Sequence, residues 1–405
     1  MNIKKQIQSI YLYDAVISFR IVDAVWVLFL LDRGYSLVQV GIGEAVFHVT
    51  SMICEVPSGM AADLFGRKKT LALAGTAGVL SSIFMGYGDW FGFIYLGMMF
   101  SAIGISMVSG TEEAILYDSL LNVKEEESYK KRKSNLSIIG RISSTSSCLV
   151  SPVAIYLGYQ KVYLLSALLN VAQILIAMCM DEPIVTERQK ERQKSTFVET
   201  GKRLEQHIAE TFQFMRKNPR TMCKLLADAA IACPCYLTLM YLQEHLVNCG
   251  WPKAWIGIPL FVIPLAGVAG AWMAAKTNIC FLKSALICGI VGGIGTAFAG
   301  NKRLFLAVAG AMLGRMTEAF VEIVSGEAIN KDLESDQRAT MISVDSMLYS
   351  VLMIVASLVT GYWAEHFGME NMFRMFGISL VTATIAGCAV YTGYTKEDKN
   401  GRASG

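Results

Sequence analysis

The sequence predicts an all-α integral membrane protein with twelve transmembrane helices in two pseudo-symmetric bundles of six. Composition is the first observation: hydrophobic residues make up 54% of the 405 residues and charged residues only 17%, whereas a soluble protein carries about 25% charged residues. The mean hydropathy of +0.44 is the second. The third is the recurrence of apolar runs of about 20 residues, the length of helix that crosses a bilayer.

Twelve apolar segments alternate with short glycine-containing turns and longer charged loops. We predict spans in the first half over residues 11–31, 37–60, 70–88, 91–120, 134–157 and 161–180. The predicted spans of the second half are 222–246, 254–275, 283–300, 303–328, 339–364 and 370–392.

A long polar segment, residues 181–220, divides the chain into these halves. We therefore predict a first bundle over 1–180, a cytoplasmic central loop over 181–220, a second bundle over 221–395 and a cytoplasmic tail over 396–405. Within the loop, helical spacing puts Leu204, Ile208, Phe212 and Met215 on one face. This apolar stripe favours an amphipathic helix at the membrane interface, and a plain linker is the alternative.

Basic residues indicate the orientation. They cluster in one set of loops, as in Arg67-Lys68-Lys69 and Lys130-Lys131-Arg132-Lys133, while the opposite loops hold isolated bases such as Arg33. Because Lys and Arg accumulate on the cytoplasmic side, both termini are predicted to be cytoplasmic. The bases form no continuous basic face, so a nucleic-acid partner is not expected.

The two halves repeat a short pattern. Glu113-Ala114 precedes Asp118 in the fourth span by the interval at which Glu327-Ala328 precedes Asp332 in the tenth. Weak symmetry between two six-helix halves is typical of secondary transporters. The sequence has no nucleotide-binding loop, metal-ligand set or catalytic triad, so we expect neither an enzyme nor a cofactor or metal, and an ion gradient must supply the energy.

The loop between the second and third spans carries the most specific motif. It resembles the G-x-x-x-D-x-x-G-R-K/R signature of the major facilitator superfamily, in an extended form found in a bacterial branch of drug and metabolite exporters that includes clostridial-type tetracycline pumps. The matching residues are Glu55, Pro57, Gly59, Asp63, Gly66, Arg67 and Lys68. The resemblance implies a multi-pass, usually monomeric protein of the bacterial plasma membrane that carries a small molecule.

A conformational latch would explain the spacing of this motif. Gly59 allows a close helix approach, and Asp63 can lie against the N-terminus of a neighbouring helix, which the resemblance identifies as the eleventh. Arg67 is placed to pair with Asp118, and Gly66 and Lys68 complete the predicted latch. The alternative is a loop that only fixes the orientation of the chain in the membrane. Bases alone would serve that purpose, but the spacing of Gly59, Asp63 and Gly66 would then be unexplained.

Ionisable residues inside the spans are candidate site residues, because a charge in hydrocarbon is costly without a partner or a cavity. The resemblance implies that helices 1, 4, 7 and 10 line a central cavity. We predict that the site draws on charged, histidine and tyrosine side chains of these and adjoining helices: Arg20, Asp23, Glu44, His48, Glu112, Glu113, Tyr117, Arg141, Asp228, Tyr236, Arg315, Glu318, Glu322 and Asp345. The candidates for proton coupling are Glu322, Glu318, Asp23 and Glu113.

Structural alternatives accompany these assignments. Arg20–Asp23 and Arg315–Glu318 can be permanent ion pairs, and His48 can be a hydrogen-bonding partner between helices. The tyrosines can be packing residues. A Na⁺ site would need backbone carbonyls from an unwound segment, and no glycine-rich candidate for such a segment is evident.

The leading functional hypothesis is proton-coupled export of a small amphipathic or cationic compound by alternating access. The proline–glycine pattern expected in the fifth helix of many antiporters is reduced to Gly140, Pro152 and Gly158. Proton-coupled uptake of a nutrient is therefore the alternative, and a membrane sensor that does not transport is a remote one.

Overall fold

A computed structural model gives the architecture of the chain. It describes residues 2–183, 209, 211, 213–332 and 338–403, apart from the side chains at 56, 63, 151, 330–332, 338–340 and 394–403. Over these residues the chain forms helices and irregular segments without a strand, which confirms the all-α prediction.

Ten helical segments of the described chain are long and apolar enough to cross a membrane. They are Leu37–Glu55, Arg67–Tyr87, Phe91–Asn122, Tyr159–Cys179, Pro219–Asn248, Lys253–Lys276, Phe281–Ala299, Leu304–Ile329, Met341–Phe367 and Met369–Gly393. The two other predicted spans, 11–31 and 134–157, coincide with interrupted helices. The count of twelve therefore stays a prediction.

The helices of the first half differ widely in length. They are α1 (Ile3–Ser18), α2 (Trp26–Asp32), α3 (Leu37–Phe65), α4 (Arg67–Tyr87), α5 (Phe91–Val108), α6 (Thr111–Asn122), α7 (Tyr129–Ser147), α8 (Ser151–Leu157) and α9 (Tyr159–Cys179).

The helices of the second half are longer. They are α10 (Pro219–Asn248), α11 (Gly257–Lys276), α12 (Phe281–Ala299), α13 (Leu304–Asp332), α14 (Arg338–Phe367) and α15 (Met369–Ala403).

Three predicted spans of the first half are interrupted. Residues 19–25 separate α1 from α2, and Gly110, with a φ of +74°, lies between α5 and α6. A 3₁₀ turn over Cys148–Val150 separates α7 from α8, next to Pro152, which has no N–H to donate. Non-helical backbone at membrane depth needs protein partners for its polar groups, so each interruption depends on neighbouring helices.

Serine side chains of α7 supply such partners to the first interruption. The Ser143 hydroxyl donates to the carbonyl of Ala15, in the last turn of α1, at 2.6 Å. The Ser147 hydroxyl lies within hydrogen-bond distance of two carbonyls, that of Ser144 at 2.7 Å and that of Arg20 at 3.3 Å. The first predicted span, 11–31, therefore contains an unwound segment over residues 19–25. It has no glycine, and the sequence analysis did not anticipate it.

The chain divides into two compact units. The first unit comprises residues 1–26 and 46–206, and the second comprises 27–45 and 207–405. Residues 27–45 belong to the first half of the sequence but pack with the second unit. Apolar burial organises each unit separately, with Ile10, Ile115 and Leu116 fully enclosed in the first.

The central segment, 181–220, is described at residues 181–183, 209, 211 and 213–220. Leu204, Ile208 and Phe212 of the predicted amphipathic stripe lie outside the described residues, and Met215 is half-buried. Phe214 is buried against Leu225, Ile329 and Val344 of its own unit. The end of this segment therefore packs on protein through a residue that the predicted stripe did not include.

Candidate functional site

The signature loop joins α3 to α4 through Gly66, whose φ is +89°. The two carboxylate oxygens of Glu182 accept hydrogen bonds from the backbone N–H groups of Arg67 at 2.8 Å and Lys68 at 2.7 Å. A Cβ atom on Gly66 would lie 3.0 Å from that carboxylate. Glu182 thus places a negative charge on the first turn of α4, where the helix dipole favours it. Sequence reasoning missed Glu182, although an acid directly after the sixth span was a visible signal.

Arg67 forms the contact that its place in the motif predicts. Its guanidinium pairs with the Asp118 carboxylate and donates to the carbonyl of Ala114. The Asp118 side chain is 9% exposed, so this ion pair is screened weakly by solvent.

Two other latch residues behave differently. No described atom lies within 4 Å of a Cβ built on Gly59, so the structure does not contain the close helix approach predicted there. The side chain of Asp63 lies outside the described part of the structure. The contact of Asp63 with a helix N-terminus therefore stays a prediction.

Charged candidates in the first unit are mostly paired near its surface. Arg20 and Asp23 lie in the interruption of helix 1 with Nε and Oδ2 3.3 Å apart, and their side chains are 41% and 49% exposed. Glu113 accepts a hydrogen bond from Lys133 at 2.7 Å, which raises the pKa of Lys133. Sequence reasoning did not anticipate Lys133 as the partner of Glu113.

Two acids of this unit are enclosed instead. Asp14 of α1, absent from the predicted site, is 8% exposed. Glu112, in the first turn of α6, interacts electrostatically with it. Asp14 escaped prediction because it lies near the N-terminal end of the first apolar run, where an acid suggests a helix end.

The second unit concentrates several of the predicted acids. Arg315 pairs with Glu318 one turn along α13, and these side chains are 25% and 18% exposed. The Cys235 thiol of α10 lies against both groups. A Cβ atom on Gly267 would lie 3.3 Å from Arg315 Nε, so the backbone of α11 packs directly on the arginine.

A second group of acids surrounds Asp228 of α10. Asp228 interacts electrostatically with Asp345 of α14 first, then with Glu322 and Glu318 of α13, and it lies beside Ser325. These contacts bring four predicted acids from three helices together with one predicted base, Arg315. Negative charge therefore exceeds positive charge here, which favours a proton or a cation as ligand.

The remaining predicted residues are distributed over both units. Glu44 is buried in the second unit and interacts with Tyr241. In the first unit, His48 is buried edge-on to Phe47 at 5.2 Å, and Tyr117 packs on Tyr129 at the same distance. Tyr117, Arg141, Tyr236 and Glu322 are exposed. The described residues contain no group of three or more metal-ligating side chains.

The second unit also contains a polar contact between α3 and α14. Glu365 Oε2 accepts a hydrogen bond from the backbone N–H of Val38 at 2.9 Å, at the first turn of α3. Nearby, Lys253 Nζ lies 2.6 Å from Asp32 Oδ1. Gly41 brings α3 so close to α14 that a Cβ atom would lie 2.4 Å from the carbonyl oxygen of Ser357. Sequence reasoning identified none of these contacts.

Comparison with known proteins fixes the family. The profile of the Major Facilitator Superfamily matches residues 15–317, well over half of the 405 residues. The chain belongs to the Major Facilitator Superfamily. It is accordingly a multi-pass integral membrane transporter and not an enzyme.

Relatives within the superfamily show how far the likeness extends. Over 97 residues the chain is 31% identical to YxaM of Bacillus subtilis (strain 168), an uncharacterised MFS-type transporter, and this covers 24% of each protein. The alignment thus spans about a quarter of the relative.

Solved structures of superfamily members share the fold over nearly the whole chain. The nucleoside transporter NupG has a TM-score of 0.74 at 14% identity, covering 96% of this chain and 99% of NupG. A POT peptide transporter in complex with sulfate has a TM-score of 0.72 at 12% identity, covering 95% and 94%. For a D-xylose–proton symporter the values are 0.62 and 12%, covering 95% of each. At these identities the likeness concerns the fold alone.

Proposed function

We propose that this superfamily member is a proton-coupled secondary transporter that exports a small amphipathic cation by alternating access. It would work as a monomer in the bacterial plasma membrane with both termini in the cytoplasm. One observation carries the proposal: four acids and a single arginine converge in the second unit, at Asp228, Asp345, Glu318, Glu322 and Arg315.

The excess of acid defines what this site can bind. Burying ionised carboxylates without partners costs several kcal/mol each, so such groups either hold protons or attract cations. Arg315 compensates Glu318. Asp228 and Asp345 interact electrostatically, and their mutual repulsion is relieved when one of them takes up a proton or when a cation lies between them.

Competition between those two ligands gives antiport a physical basis. A cationic compound and a proton neutralise the same carboxylates, so binding of one releases the other. Arg315 can alternate between Glu318 and a second acid, because Glu322 lies one turn further along the same helix face. In this scheme Glu318 and Glu322 transfer the coupling proton, and Asp23 and Glu113 serve the same purpose in the first unit.

Polar contacts at helix N-termini support alternating access. The Arg67–Asp118 pair and the Glu182 cap hold the start of α4, and Glu365 caps the start of α3. We propose that the former set belongs to the cytoplasmic latch, together with Asp63. The latter set, with Asp32–Lys253, would have to break when α3 moves relative to α14.

Everted membrane vesicles test coupling and direction together. With an imposed pH gradient, acid inside, we expect ethidium to enter the vesicles and to release protons reported by a fluorescent acridine dye. Glu318→Gln and Glu322→Gln are expected to abolish the ethidium-dependent proton flux at equal protein levels. Glu327→Gln, an exposed acid on the same helix, is the matched control and should keep it. Full coupling in both variants would exclude these acids from the mechanism.

Proton-coupled uptake is the second candidate, and the interruption of the fifth predicted span at Cys148–Val150, between α7 and α8, favours it. The antiporter pattern expected in that helix is incomplete, and the segment is not a continuous helix. Right-side-out vesicles that accumulate a nutrient with protons, while everted vesicles fail to accumulate ethidium, would establish uptake in place of export.

A further inference from the structure

Two carboxylates of the first unit have no use in the scheme above. Asp14 Oδ2 and Glu112 Oε1 are enclosed, and within the described residues neither oxygen has a hydrogen-bond partner of good geometry, although the backbone of Gly140 contacts the Asp14 carboxylate. The two side chains come from α1 and α6, which pack against each other in one apolar cluster, and they interact electrostatically. Two enclosed acids that interact in this way, each with an unsatisfied oxygen, are too costly to be a neutral packing feature.

The surroundings of the pair contain few polar groups. Ser18 donates to Asp14 Oδ1 at 3.2 Å. The Tyr13 hydroxyl donates to the carbonyl of Leu71 at 2.9 Å and accepts from Gln173 at 2.7 Å, so its proton is committed elsewhere. Glu113, the adjoining acid on α6, also acts on Glu112 electrostatically.

Three bases of the first unit are engaged by other acids, whereas Arg132 of α7 has an enclosed Nε atom without a hydrogen-bond partner among the described residues. The relevant ion pairs of the first unit are Lys133–Glu113, Arg20–Asp23 and Arg67–Asp118. On α7, Arg141 is exposed. No ion pair to Asp14 or Glu112 occurs among the described residues.

We propose that Asp14 and Glu112 form a proton-binding site that holds one shared proton. Two adjacent carboxylates in a poorly solvated site do not both ionise. One negative charge is tolerated because Glu112 lies in the first turn of α6, where the helix dipole favours an anion. The proposal deepens the proton coupling proposed above and rests on it for its role in transport, but it assigns a site in the other unit.

The backbone around the pair can couple proton binding to helix movement. A Cβ atom on Gly140 of α7 would lie 2.9 Å from Asp14 Oδ2, so the backbone of α7 itself covers the carboxylate. Just beyond Asp14, α1 ends at Ser18, and the Ser143 hydroxyl of α7 donates to the carbonyl of Ala15 in its last turn. A shift of α7 against α1 would admit water to Asp14 and release the shared proton.

Infrared difference spectroscopy measures this proton without a known substrate. Purified protein in lipid nanodiscs is titrated from acid to alkaline buffer, and the C=O band of protonated carboxylic acids is followed. We expect a titrating band in the unaltered protein, a changed pH midpoint in Asp14→Asn and in Glu112→Gln, and loss of that band in the double variant. Gly140→Ala should change the midpoint while both acids remain. Glu127→Gln, an exposed acid before α7, is the control.

Each outcome bears on the assignment. A band that persists in full in the double variant overturns the proposal, and so does a midpoint unaffected by either single substitution. A band that responds to Na⁺ against choline at constant pH and ionic strength would make the site a sodium site and would also overturn it. If Glu318→Gln abolishes the ethidium-coupled proton flux but leaves the infrared band unchanged, the flux depends on the second unit and the band does not. An intact infrared band in a protein that moves no protons with any compound would refute the proposed function and leave this site standing.

Discussion

Arg20–Asp23 and Arg315–Glu318 have the same sequence spacing and different structures. The first pair lies in an interrupted helix, 3.3 Å apart, with side chains 41% and 49% exposed. The second lies on a continuous helix with side chains 25% and 18% exposed, against the backbone of α11 at Gly267. Spacing of three thus brings an arginine and an acid together in both cases, but the enclosure by neighbouring helices decides how strongly they interact.

Breaking the enclosed pair should have the largest effect on stability. Glu318→Met leaves the Arg315 guanidinium without its partner in a poorly solvated site, which costs about 3 kcal/mol. Replacing both residues by methionine removes the stranded charge and should recover most of that loss. Thermal unfolding in detergent, followed by fluorescence, compares Glu318→Met and Arg315→Met with the double variant. A double variant no more stable than the singles would mean that Arg315 and Glu318 do not depend on each other.

The next largest effect is expected at Arg67–Asp118. Asp118→Asn retains the shape of the side chain but removes its charge, and we expect a loss of about 2 kcal/mol, because Arg67 then keeps only the carbonyl of Ala114. Arg67→Lys should keep little of the stabilisation that the Arg67–Asp118 pair provides, because a lysine ammonium lacks the planar guanidinium group that binds a carboxylate and a carbonyl at the same time. Equal melting temperatures for Arg67→Lys and the unaltered protein would contradict this geometry.

The Glu182 cap should contribute less. Glu182→Gln keeps an acceptor for the N–H groups of Arg67 and Lys68 but removes the charge at the helix N-terminus, which is worth about 1 kcal/mol or less. Glu182→Ala removes the acceptor as well and should cost more. Hydrogen exchange of the first-turn amides of α4 measures the difference directly, and unchanged exchange in Glu182→Ala would show that the cap is not formed in the membrane.

These pairs also show what the sequence can predict. The partners Arg67–Asp118, Arg20–Asp23 and Arg315–Glu318 follow from helical spacing and from a motif, both of which are local. Glu182 and Glu365 cap helices that are distant in sequence, so no periodicity points to them. Asp14 was missed for a different reason: it lies near the N-terminal end of the first apolar run, and the backbone that covers it, at Gly140 of α7, is distant in sequence.

The course of the backbone was the least predictable feature. Apolar length predicted all ten of the helical segments that are long and apolar enough to cross a membrane, because hydrophobicity is summed over about 20 residues. The interruption over residues 19–25 contains no proline or glycine, and serines of α7 contact the carbonyl of Arg20 within it and the carbonyl of Ala15 just before it. Tertiary contacts, which a single segment does not encode, therefore determine it.

The smallest effect should come from the exposed pair in that interruption. Arg20 and Asp23 belong to the proposed water-filled cavity, where water screens them, and exposed ion pairs contribute about 0.5 kcal/mol. Asp23→Asn should therefore change the melting temperature little, and the small difference should vanish at high salt. Ser147→Ala is the informative comparison, because it removes the donor to the Arg20 carbonyl and leaves both charges in place. If Ser147→Ala destabilises the protein more than Asp23→Asn, the interruption is held through its backbone. The reverse order would mean that the Arg20–Asp23 charges hold the interrupted helix, and the contrast with Arg315–Glu318 would then lie in the shape of the helix alone.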